Sequence, residues 1–400
     1  MTNIQIRSKL IQNMKTSRRN FVKIVGIAWA GIATSRFINL NPQVSGITFM
    51  SPVDGDMLCA YDGKVTDGAL TATFTVSAPA GSNIKINGIE ATKKGDNYTA
   101  DILLKEYSNT IEVIDEKSGS KQAIVVFWLK NYLNHYRLSL DDNILFLKDI
   151  SKNASTYKSI FDNAYLGFLK EVHVKYGTKI HLNIYYQTDG FNLSQMPDKY
   201  KNEWKANSGW LRISFHALQD QPDNPYLNAG YDEVKKDCEM VKAQILRFAG
   251  EEQFDHVTTL HWGAATIEGT HALRDSGYTG LAGYFNTGAD ESPVSYYLDI
   301  DKRQHLKERF IWRDNKEGII FSRIAIVINN SKLDKIVPNL DKLKVGTHKP
   351  GFIDLMIHEQ YFQPNTVDFQ PDFRQKVMTA VKWAADNGYK PAFLSECIFK

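Results

Sequence analysis

The stretch "YRLSLDDN", residues 136–143, ends a short alternating apolar run with two adjacent aspartates. One interpretation is local: Asp141 or Asp142 could cap a helix beginning in "NILFLKDI", because a side-chain oxygen accepts hydrogen bonds from the first N–H groups of a helix. The other is chemical, since carboxylates at the end of a strand lie where an α/β fold gathers its reactive groups. Patterns in the rest of the sequence help to decide between the capping role and the chemical role.

Beyond residue 129 the sequence alternates between strand and helix patterns. Apolar residues at helical spacing predict helices over about 157–177, 231–250, 267–276 and 372–388. The predicted strands are "TKIHLNIYYQ", "WLRISFH", "VTTLHWG", "YTGLAGYF", "IIFSRIAIVIN", "FIDLMIH" and "KPAFLSE". Alternation of this length predicts parallel strands with outer helices. We therefore expect an α/β fold over residues 130–400, a (β/α) barrel that is complete or incomplete.

Residues 42–129 have a different pattern. Short alternating segments near 69–77, 83–87, 97–104 and 109–115 are separated by turn residues such as Asn-Gly and Gly-Asp-Asn. This spacing predicts a small β-sandwich. The region resembles the immunoglobulin-like modules that accompany secreted carbohydrate enzymes. Because it contains no candidate chemistry, we expect it to act as a spacer or to present substrate.

The first 41 residues contain a targeting pattern. The stretch "SRRNFVKIVGIAWAGIATS", residues 17–35, resembles a twin-arginine export signal, because S-R-R-x-F-x-K is nearly the whole consensus of that signal. Its apolar run, residues 24–33, is shorter than the roughly 20 residues that span a bilayer. The pattern predicts export to the periplasm or beyond, with no stable membrane insertion after cleavage. A basic amphipathic surface helix is the alternative.

Composition excludes some classes of function. The chain has 400 residues, 43% of them hydrophobic, which is ample for a sizeable core, and a formal net charge of +3. Lysine and arginine are spread along the sequence, so nucleic acid is not an expected partner. The cysteines Cys59, Cys238 and Cys397 form no C-x-x-C pattern. We expect them to be free and partly buried rather than part of a disulfide framework or a zinc cluster.

Ionisable residues end four of the predicted strands. Asp141 and Asp142 end "YRLSL", His216 ends "WLRISF", His261 ends "VTTL" and His358 ends "FIDLMI". The carboxyl ends of barrel strands meet at one rim, so these side chains should lie close together. Packing alone explains such a group poorly, because each buried polar group would need its own partner. Carboxylate and imidazole together are ligands that suit Zn²⁺ and related divalent ions.

The order of these motifs resembles a known family. "RLSLDDN", "ISFHALQD", "TLHWGAATIEGTHALRDSGY", "LMIHEQYF" and "NGYKPAFLSE" follow one another as the motifs do in the polysaccharide deacetylase family, whose domain hydrolyses N- or O-acetyl groups on sugars. The resemblance covers residues 136–400. It implies that Asp141 is a general base, that Asp142 and His216 bind a divalent metal ion, expected to be Zn²⁺, and that His358 is a general acid.

The sequence departs from this family in two motifs. The family's second motif is H-x-x-x-H, whereas Asp220 stands four residues after His216. Its third motif contains an arginine and prolines, whereas this chain has "HWG" at residues 261–263. The third metal ligand is therefore either Asp220, which keeps the family's spacing and is preferred, or His261. In the first case His261 would orient Asp141.

Aromatic residues near predicted strand ends are candidates for stacking on sugar rings, and core or rim packing is the alternative for each. They are Trp210, Trp262, Tyr185 and Tyr361. Two other functions stay open. A glycoside hydrolase would pair Asp141 with Glu359 or Glu396 and would in most cases need no metal. A carbohydrate-binding protein that has lost catalysis would bind a glycan without releasing a product.

The export signal leads to a direct prediction. Replacing Arg18 and Arg19 with lysine should leave the chain in the cytoplasm, because the signal is read by a receptor that requires the arginine pair. Cell fractionation with immunoblotting measures this. Export of the double-lysine variant at the wild-type level would mean that another route is used.

Overall fold

The computed structural model describes residues 46–288, 294–345 and 349–399. The predicted twin-arginine signal lies outside these described residues. Within them, no helix has both the length and the apolar composition needed to cross a lipid bilayer.

The region before residue 129 forms two five-stranded sheets. Their strands are β1 (Thr48–Ser51), β2 (Met57–Leu58), β3 (Gly63–Thr66), β4 (Ala69–Ser77), β5 (Ile84–Ile86), β6 (Ile89–Glu90), β7 (Thr92–Lys94), β8 (Asn97–Leu104), β9 (Ser108–Asp115) and β10 (Lys121–Trp128). One sheet has the order β1-β4-β8-β7 with β3 beside β4, and the other has the order β2-β10-β9-β5-β6. The strands predicted near 69–77, 83–87, 97–104 and 109–115 are confirmed as β4, β5, β8 and β9.

The two sheets share one apolar core. In β4 the buried side chains of Leu70, Ala72, Phe74 and Val76 alternate with more exposed threonines, as expected for a strand with one covered face. Side chains of β9 and β10, in the other sheet, belong to the same buried cluster. All pairings are antiparallel except that of β2 with β10. An immunoglobulin-like identity for this region stays a prediction.

The remaining residues form a mixed α/β region. Its strands are β11 (His135–Asn143), β12 (Ile180–Tyr185), β13 (Gln187–Thr188), β14 (Phe191–Asn192), β15 (Leu211–Ala217), β16 (Val257–Thr258), β17 (Gly280–Gly283), β18 (Ile311–Asp314), β19 (Ile319–Arg323), β20 (Ile326–Val327), β21 (Phe352–His358) and β22 (Lys390–Pro391). Its helices are α1 (Leu145–Lys152), α2 (Ala164–Tyr176), α3 (Lys201–Ala206), α4 (Tyr231–Phe248), α5 (Ile267–Asp275), α6 (Ile300–Arg309), α7 (Ile336–Asp341), α8 (Phe373–Asp386) and α9 (Leu394–Ile398).

The longer strands of this region form two sheets. One parallel sheet has the order β15-β12-β11-β21-β20, and a second has the order β16-β17-β19-β18, in which only β18 is antiparallel. Ile213 in β15 forms an isolated parallel bridge with Phe254, just before β16. Strand pairing among the described residues gives two open sheets rather than one closed ring. The α/β class is confirmed, and a closed barrel stays a prediction.

Helices cover the parallel strands, so these strands are buried on both faces. β12 is buried along its whole length, and α4 packs Val234, Val241 and Ile245 into the main core. Helix α2 ends at Tyr176 and is followed by Gly177, whose φ of 69° is left-handed and costs glycine less than other residues.

Some predicted boundaries are wrong for local reasons. The helix predicted from residue 157 starts at Ala164, because the Asn163 side chain accepts hydrogen bonds from the first N–H groups of α2. The single strand predicted in "IIFSRIAIVIN" is two strands, β19 and β20, which belong to different sheets. "KPAFLSE" forms the short β22 and then α9. The predicted free cysteines are confirmed, and all three are buried rather than partly buried.

The N-terminal sheets cover the N-terminal ends of the parallel strands. An apolar cluster joins Met57, Phe127 and Leu129 to the first residues of β16 and β21. Polar contacts lie beside it: Asp56 Oδ1 is 2.6 Å from His305 Nε2 in α6. The N-terminal sheets therefore pack against the end of the α/β region opposite to the strand ends where the ionisable residues lie.

The contact between Asp56 and His305 gives a test of this packing. Burial raises the pKa of Asp56, but His305 and Arg309 bring that pKa below its ordinary value. The stabilisation should be present above pH ~4, the unfolded aspartate value, and be lost as the pH falls through the lower folded value.

Asp56→Asn should lower the free energy of unfolding by about 3 kcal/mol at pH 7, as expected when a buried pair loses one partner. Urea unfolding from pH 7 to pH 3 should show this difference shrinking at the acid end. The exposed Asp96→Asn is the matched control and should change stability little. An equal effect of both substitutions would contradict a stabilising buried contact of Asp56 here.

Candidate active site

Three side chains converge at the C-terminal ends of β11 and β15 and just after β16. His216 Nε2 lies 3.0 Å and His261 Nδ1 lies 3.2 Å from Asp142 Oδ1. The same two ring nitrogens are 3.2 Å apart. All three side chains are nearly buried, with 9%, 3% and 6% exposure for Asp142, His216 and His261. We call these three residues the ligand cluster.

The outer hydrogen bonds of the two histidines set their tautomers. His216 Nδ1 is 2.5 Å from the carbonyl oxygen of Thr259, and His261 Nε2 is 3.0 Å from the carbonyl oxygen of Asp220. A carbonyl only accepts, so these two nitrogens hold hydrogens. In the neutral rings the other nitrogens present lone pairs toward Asp142 Oδ1. Such a convergence of acceptors requires protons or a cation among them.

This donor set fits a metal ion. The atoms offered by Asp142, His216 and His261 all lie within 4.8 Å of one another. A carboxylate and two imidazoles, each imidazole donating its other N–H to a fixed oxygen, form a usual ligand arrangement for Zn²⁺ and other divalent ions. The cluster could therefore bind a divalent metal.

Charge within the cluster also favours cation binding. Burial raises the pKa of Asp142, but hydrogen bonds with His216 and His261 hold that pKa well below its ordinary value. Burial lowers the pKa of His216, but the two aspartates bring it above its ordinary value. Asp142 is thus an ionised carboxylate, which is the form that binds a cation.

Local backbone geometry explains how adjacent aspartates reach one place. Successive residues of a regular strand face opposite sides. Here the register of β11 against β12 shifts between Leu140 and Asn143, and Asp142 has a φ of 60°. Aspartate tolerates this left-handed conformation better than most residues. The irregularity lets both aspartates act at the same strand end.

Asp141 and His358 lie side by side next to the cluster. They are opposite each other in the parallel pairing of β11 with β21. Asp141 is 2% exposed and accepts a 2.7 Å hydrogen bond from Asn183 Nδ2. Burial raises the pKa of Asp141, although the charges of His216 and His358 act in the other direction.

The orientation of His358 follows from its neighbour. Its Nδ1 is 2.8 Å from Asn329 Oδ1, and Asn329 Nδ2 donates to Asn330 Oδ1 at 2.9 Å. In this arrangement the oxygen of the Asn329 amide accepts from His358. His358 Nδ1 therefore holds a hydrogen, and Nε2 is the nitrogen available for proton transfer.

Asp220 is not part of the ligand cluster. It is exposed, and its backbone carbonyl contacts His261 Nε2. Its Oδ1 lies 3.5 Å from the Tyr185 hydroxyl. The four-residue spacing from His216 does not bring the carboxylate to the cluster, because β15 ends at Ala217 and the following loop turns the main chain toward His261. Of the two candidates for the third ligand, His261 is the one inside the ligand cluster, and the choice between them stays a prediction.

Two of the four predicted sugar-stacking aromatics have other surroundings. Tyr185 is 1% exposed, and its hydroxyl donates to Asp142 Oδ1 at 2.5 Å, so it positions the ligand cluster. Trp210 precedes β15 and stacks on His173 and Phe161, with ring centroids 4.3 and 5.9 Å away. It lies at the strand end opposite to the ligand cluster, so stacking of Trp210 on substrate is not supported.

The other two aromatics lie at the site. The ring of Trp262 is 6.1 Å from that of His261, and the ring of Tyr361 is 6.0 Å from that of His358, between centroids. Both are half-buried. They are positioned to contact a substrate that reaches the cluster.

The helix-cap interpretation of the aspartate pair is wrong. Glu359 caps α1 instead: its carboxylate accepts from the N–H groups of Ile144, Leu145 and Phe146 at 2.7, 2.9 and 2.6 Å. Gln363 Nε2 adds a fourth hydrogen bond, at 2.8 Å. Because these donors occupy both oxygens of Glu359, this carboxylate holds the helix start rather than facing a substrate.

Glu396 is also far from the site. It lies in α9 and forms a 2.7 Å ion pair with Lys179, the residue just before β12. That position is at the N-terminal ends of the strands. Neither glutamate is placed to act with Asp141 on a glycosidic bond.

Sequence reasoning missed several supporting residues. Asn183 holds Asp141, Asn329 holds His358, and Gln360 Nε2 donates to Asp142 Oδ2 at 2.6 Å. Asn183 had a detectable signal, since it is polar within the buried strand "IHLNIY". The main-chain carbonyls of Thr259 and Asp220 could not be predicted from the sequence, because every residue type has a carbonyl group.

Metal binding separates the two candidate third ligands. Wild-type protein should bind close to one divalent ion per chain, and His261→Ala should lower occupancy strongly because it removes a ligand nitrogen. Asp220→Asn is the matched control and should leave occupancy nearly unchanged, because its main-chain carbonyl stays. Elemental analysis and calorimetric titration measure both. The reverse pattern would assign the third ligand to Asp220.

Comparison with known proteins adds little detail. No family model matches the sequence, and a search of curated proteins finds no match. A Mycobacterium smegmatis structure provisionally assigned as a polysaccharide deacetylase is 10% identical over 66% of this chain and 87% of its own, with a TM-score of 0.39. A Bacteroides fragilis structure provisionally assigned as an α-galactosidase is 8% identical over 86% and 79%, with a TM-score of 0.26. Similarity this low supports no conclusion about function, which depends on the site itself.

Proposed function

We propose that this chain is an exported, metal-dependent carbohydrate deacetylase that removes N- or O-acetyl groups from a glycan. The observation that supports it is the convergence of five side chains at the carboxyl ends of the parallel strands. They are Asp141, Asp142, His216, His261 and His358.

These residues can divide the work of hydrolysis. Asp142, His216 and His261 would hold a divalent ion, Zn²⁺ being the first candidate, which when bound polarises a carbonyl and lowers the pKa of water. Asp141 accepts a proton from water as the water oxygen bonds to the acetyl carbon. His358 Nε2 gives a proton to the leaving nitrogen or oxygen as its bond to that carbon breaks. The products are acetate and a free amine or hydroxyl.

Neighbouring residues keep these groups in place. Asn183 holds Asp141 and Asn329 holds His358 in a fixed orientation, while Tyr185 hydrogen bonds with the ligand cluster. Fixed orientation matters because general acid–base catalysis requires the donor and acceptor within hydrogen-bond distance of the reacting atoms. Trp262 and Tyr361 are the aromatic residues placed to contact a sugar.

The two other functions fit the site less well. A glycoside hydrolase needs a second carboxylate facing Asp141, and both Glu359 and Glu396 have structural partners elsewhere. A binding protein without catalysis has no need to bury two carboxylates and two imidazoles together, since each buried charge is costly. Perturbed ionisable groups of this kind favour an enzyme.

The N-terminal sheets support the spacer role rather than substrate presentation. They pack on the strand ends opposite to the ligand cluster. A glycan held by these sheets would be on the far side of the α/β region from the reacting groups. Because residues 17–35 resemble a twin-arginine signal, we also propose that the enzyme acts outside the cytoplasm.

Substitutions of the proton-transfer residues test this function. Asp141→Asn and His358→Ala should keep the metal but lower the rate of acetate release by roughly 10²–10⁴-fold, because each removes a proton transfer. Acetate release from a panel of acetylated glycans, with metal content measured in parallel, checks this. Glu396→Gln is the control and should retain activity. Acetate release that needs neither a metal ion nor Asp141 would contradict the proposed function.

A further inference from the structure

A cavity of about 260 Å³ lies where the N-terminal sheets meet the α/β region. Its walls include Met57 of β2, Ile311 of β18 and Tyr132 in the link between the two regions, all nearly buried. Tyr61 and Lys349 also line it and are exposed, so the cavity opens to solvent beside them. We call it the junction cavity. Because Tyr132 precedes β11, the cavity lies near the start of that strand, opposite to the end that holds the ligand cluster.

The volume of the junction cavity sets the size of a ligand. A cavity of about 150 Å³ holds benzene, whereas drug-sized ligands occupy pockets of about 300 Å³ or more. The junction cavity therefore has room for one ring with a substituent. Met57 and Ile311 give it an apolar wall, and the ring of Tyr61, which is 51% exposed, stands at its mouth.

The hydroxyl of Tyr132 lacks a partner inside the protein. It makes no hydrogen bond with any described residue, although Tyr132 is only 2% exposed. It is not sealed off by protein atoms either, so it faces the cavity that Tyr132 lines. Burial raises the pKa of Tyr132 well above its ordinary value, so the hydroxyl keeps its proton and can donate.

The ring of Tyr132 is fixed, so this hydroxyl cannot turn toward another partner. The ring stacks on Phe352 with centroids 6.1 Å apart. It also packs so closely on Gly351 that a Cβ there would lie 2.5 Å from Tyr132 Cδ1. Buried polar groups are nearly always paired in native proteins. A fixed donor that faces a cavity therefore points to a ligand that accepts from it.

The charges around the cavity define that ligand further. Arg309 and Lys349 line it together with one carboxylate, Asp62. Arg309 Nη1 donates to Asp62 Oδ1 at 2.7 Å, and the Cys59 N–H donates to Asp62 Oδ2 at 2.8 Å, so both carboxylate oxygens are engaged. Lys349 forms no ion pair with the residues that the structure describes. An ammonium group only donates, so a ligand beside it must supply an acceptor, and an anionic oxygen is the strongest one.

We propose that the junction cavity binds a small organic anion, a single ring that bears one carboxylate group. The carboxylate accepts from the Tyr132 hydroxyl and from Lys349, and its single charge matches the one ammonium there. The ring lies against Met57, Ile311 and Tyr61. Because the walls belong to both regions, the bound anion stabilises the packing of the N-terminal sheets on the α/β region. This inference does not depend on the proposed function.

Benzoate is the probe, and benzamide is the matched ligand with the same shape and no charge. Calorimetric titration of the wild-type protein should give a Kd for benzoate of about 1 mM or lower. Benzamide should bind about 10-fold more weakly, because hydrogen bonds to an ionised group are stronger than neutral ones. The Tm should rise with benzoate concentration, since the anion binds only the folded chain. Equal affinities, or no benzoate binding at about 10 mM, would overturn the inference and leave water as the occupant.

Tyr132→Phe and Lys349→Met test the two donors. Tyr132→Phe should weaken benzoate binding at least about 5-fold and leave the Tm of the free protein unchanged, because the hydroxyl has no partner in the protein. A purely structural hydroxyl would show the reverse. Lys349→Met should weaken benzoate binding but not benzamide binding. Tyr98→Phe and Lys121→Met, in the N-terminal sheets and outside the cavity, are the controls and should leave the affinity for benzoate unchanged.

A last titration separates the junction cavity from the ligand cluster, because a carboxylate also binds divalent metal ions. His216→Ala removes a nitrogen of the ligand cluster and should bind benzoate as the wild type does. Benzoate binding that is lost in His216→Ala and kept in Lys349→Met would overturn the inference and assign the anion to the ligand cluster. Either result leaves the test of acetate release unaffected.

Discussion

The buried charge of Asp142 is the constraint on which the site depends. An unpaired carboxylate in a protein interior is very costly, so each of its oxygens needs a partner. Oδ1 is paired with Tyr185, His216 and His261, and Oδ2 is paired with Gln360. These partners come from β12, β15, the loop after β16 and the turn after β21. One carboxylate therefore joins the ends of strands that are far apart in the sequence.

A second polar network lies along the same strands. Arg137 in β11 and Asp354 in β21 form a fully buried pair with two hydrogen bonds, and His181 in β12 contacts Arg137. Burial lowers the pKa of His181 to about 3, so its ring is neutral and its Nδ1 can accept from the guanidinium. His181 Nε2 is then the donor to Ser214 in β15, and Ser214 donates to the Val257 carbonyl in β16. This chain of bonds fixes the relative positions of the strands whose ends hold the ligand cluster, because each link requires its partner strand.

The sequence was enough to predict which residues lie at the strand ends, but not which contacts their side chains make there. Parallel strands with outer helices bring residues such as His216 and His261 to one edge, and that rule needs only the alternation of apolar segments. The choice of third ligand between Asp220 and His261 depends on the path of the loop after β15. The spacing of residues in the sequence does not reveal this path. Trp210 and Tyr185 are both near the ends of predicted strands. Trp210 stacks on other rings at the strand ends opposite to the site, and Tyr185 is a buried hydrogen-bond partner of Asp142. Helix α6 was missed because it is mostly charged and buries only Leu306, so it has no apolar period to detect.

The turn after β21 explains why two adjacent aspartates can serve chemistry rather than local structure. Three consecutive residues there have different partners: His358 contacts Asn329, Glu359 caps α1, and Gln360 contacts Asp142. The helix that follows the aspartates needs acceptors at its start, and the nearest carboxylates in the sequence are Asp141 and Asp142. Glu359, in the turn after β21, provides those acceptors. Neither aspartate is therefore needed to cap the helix. The same bonds anchor the turn that bears His358 and Gln360 to the start of α1, so the helix cap and the site depend on one another.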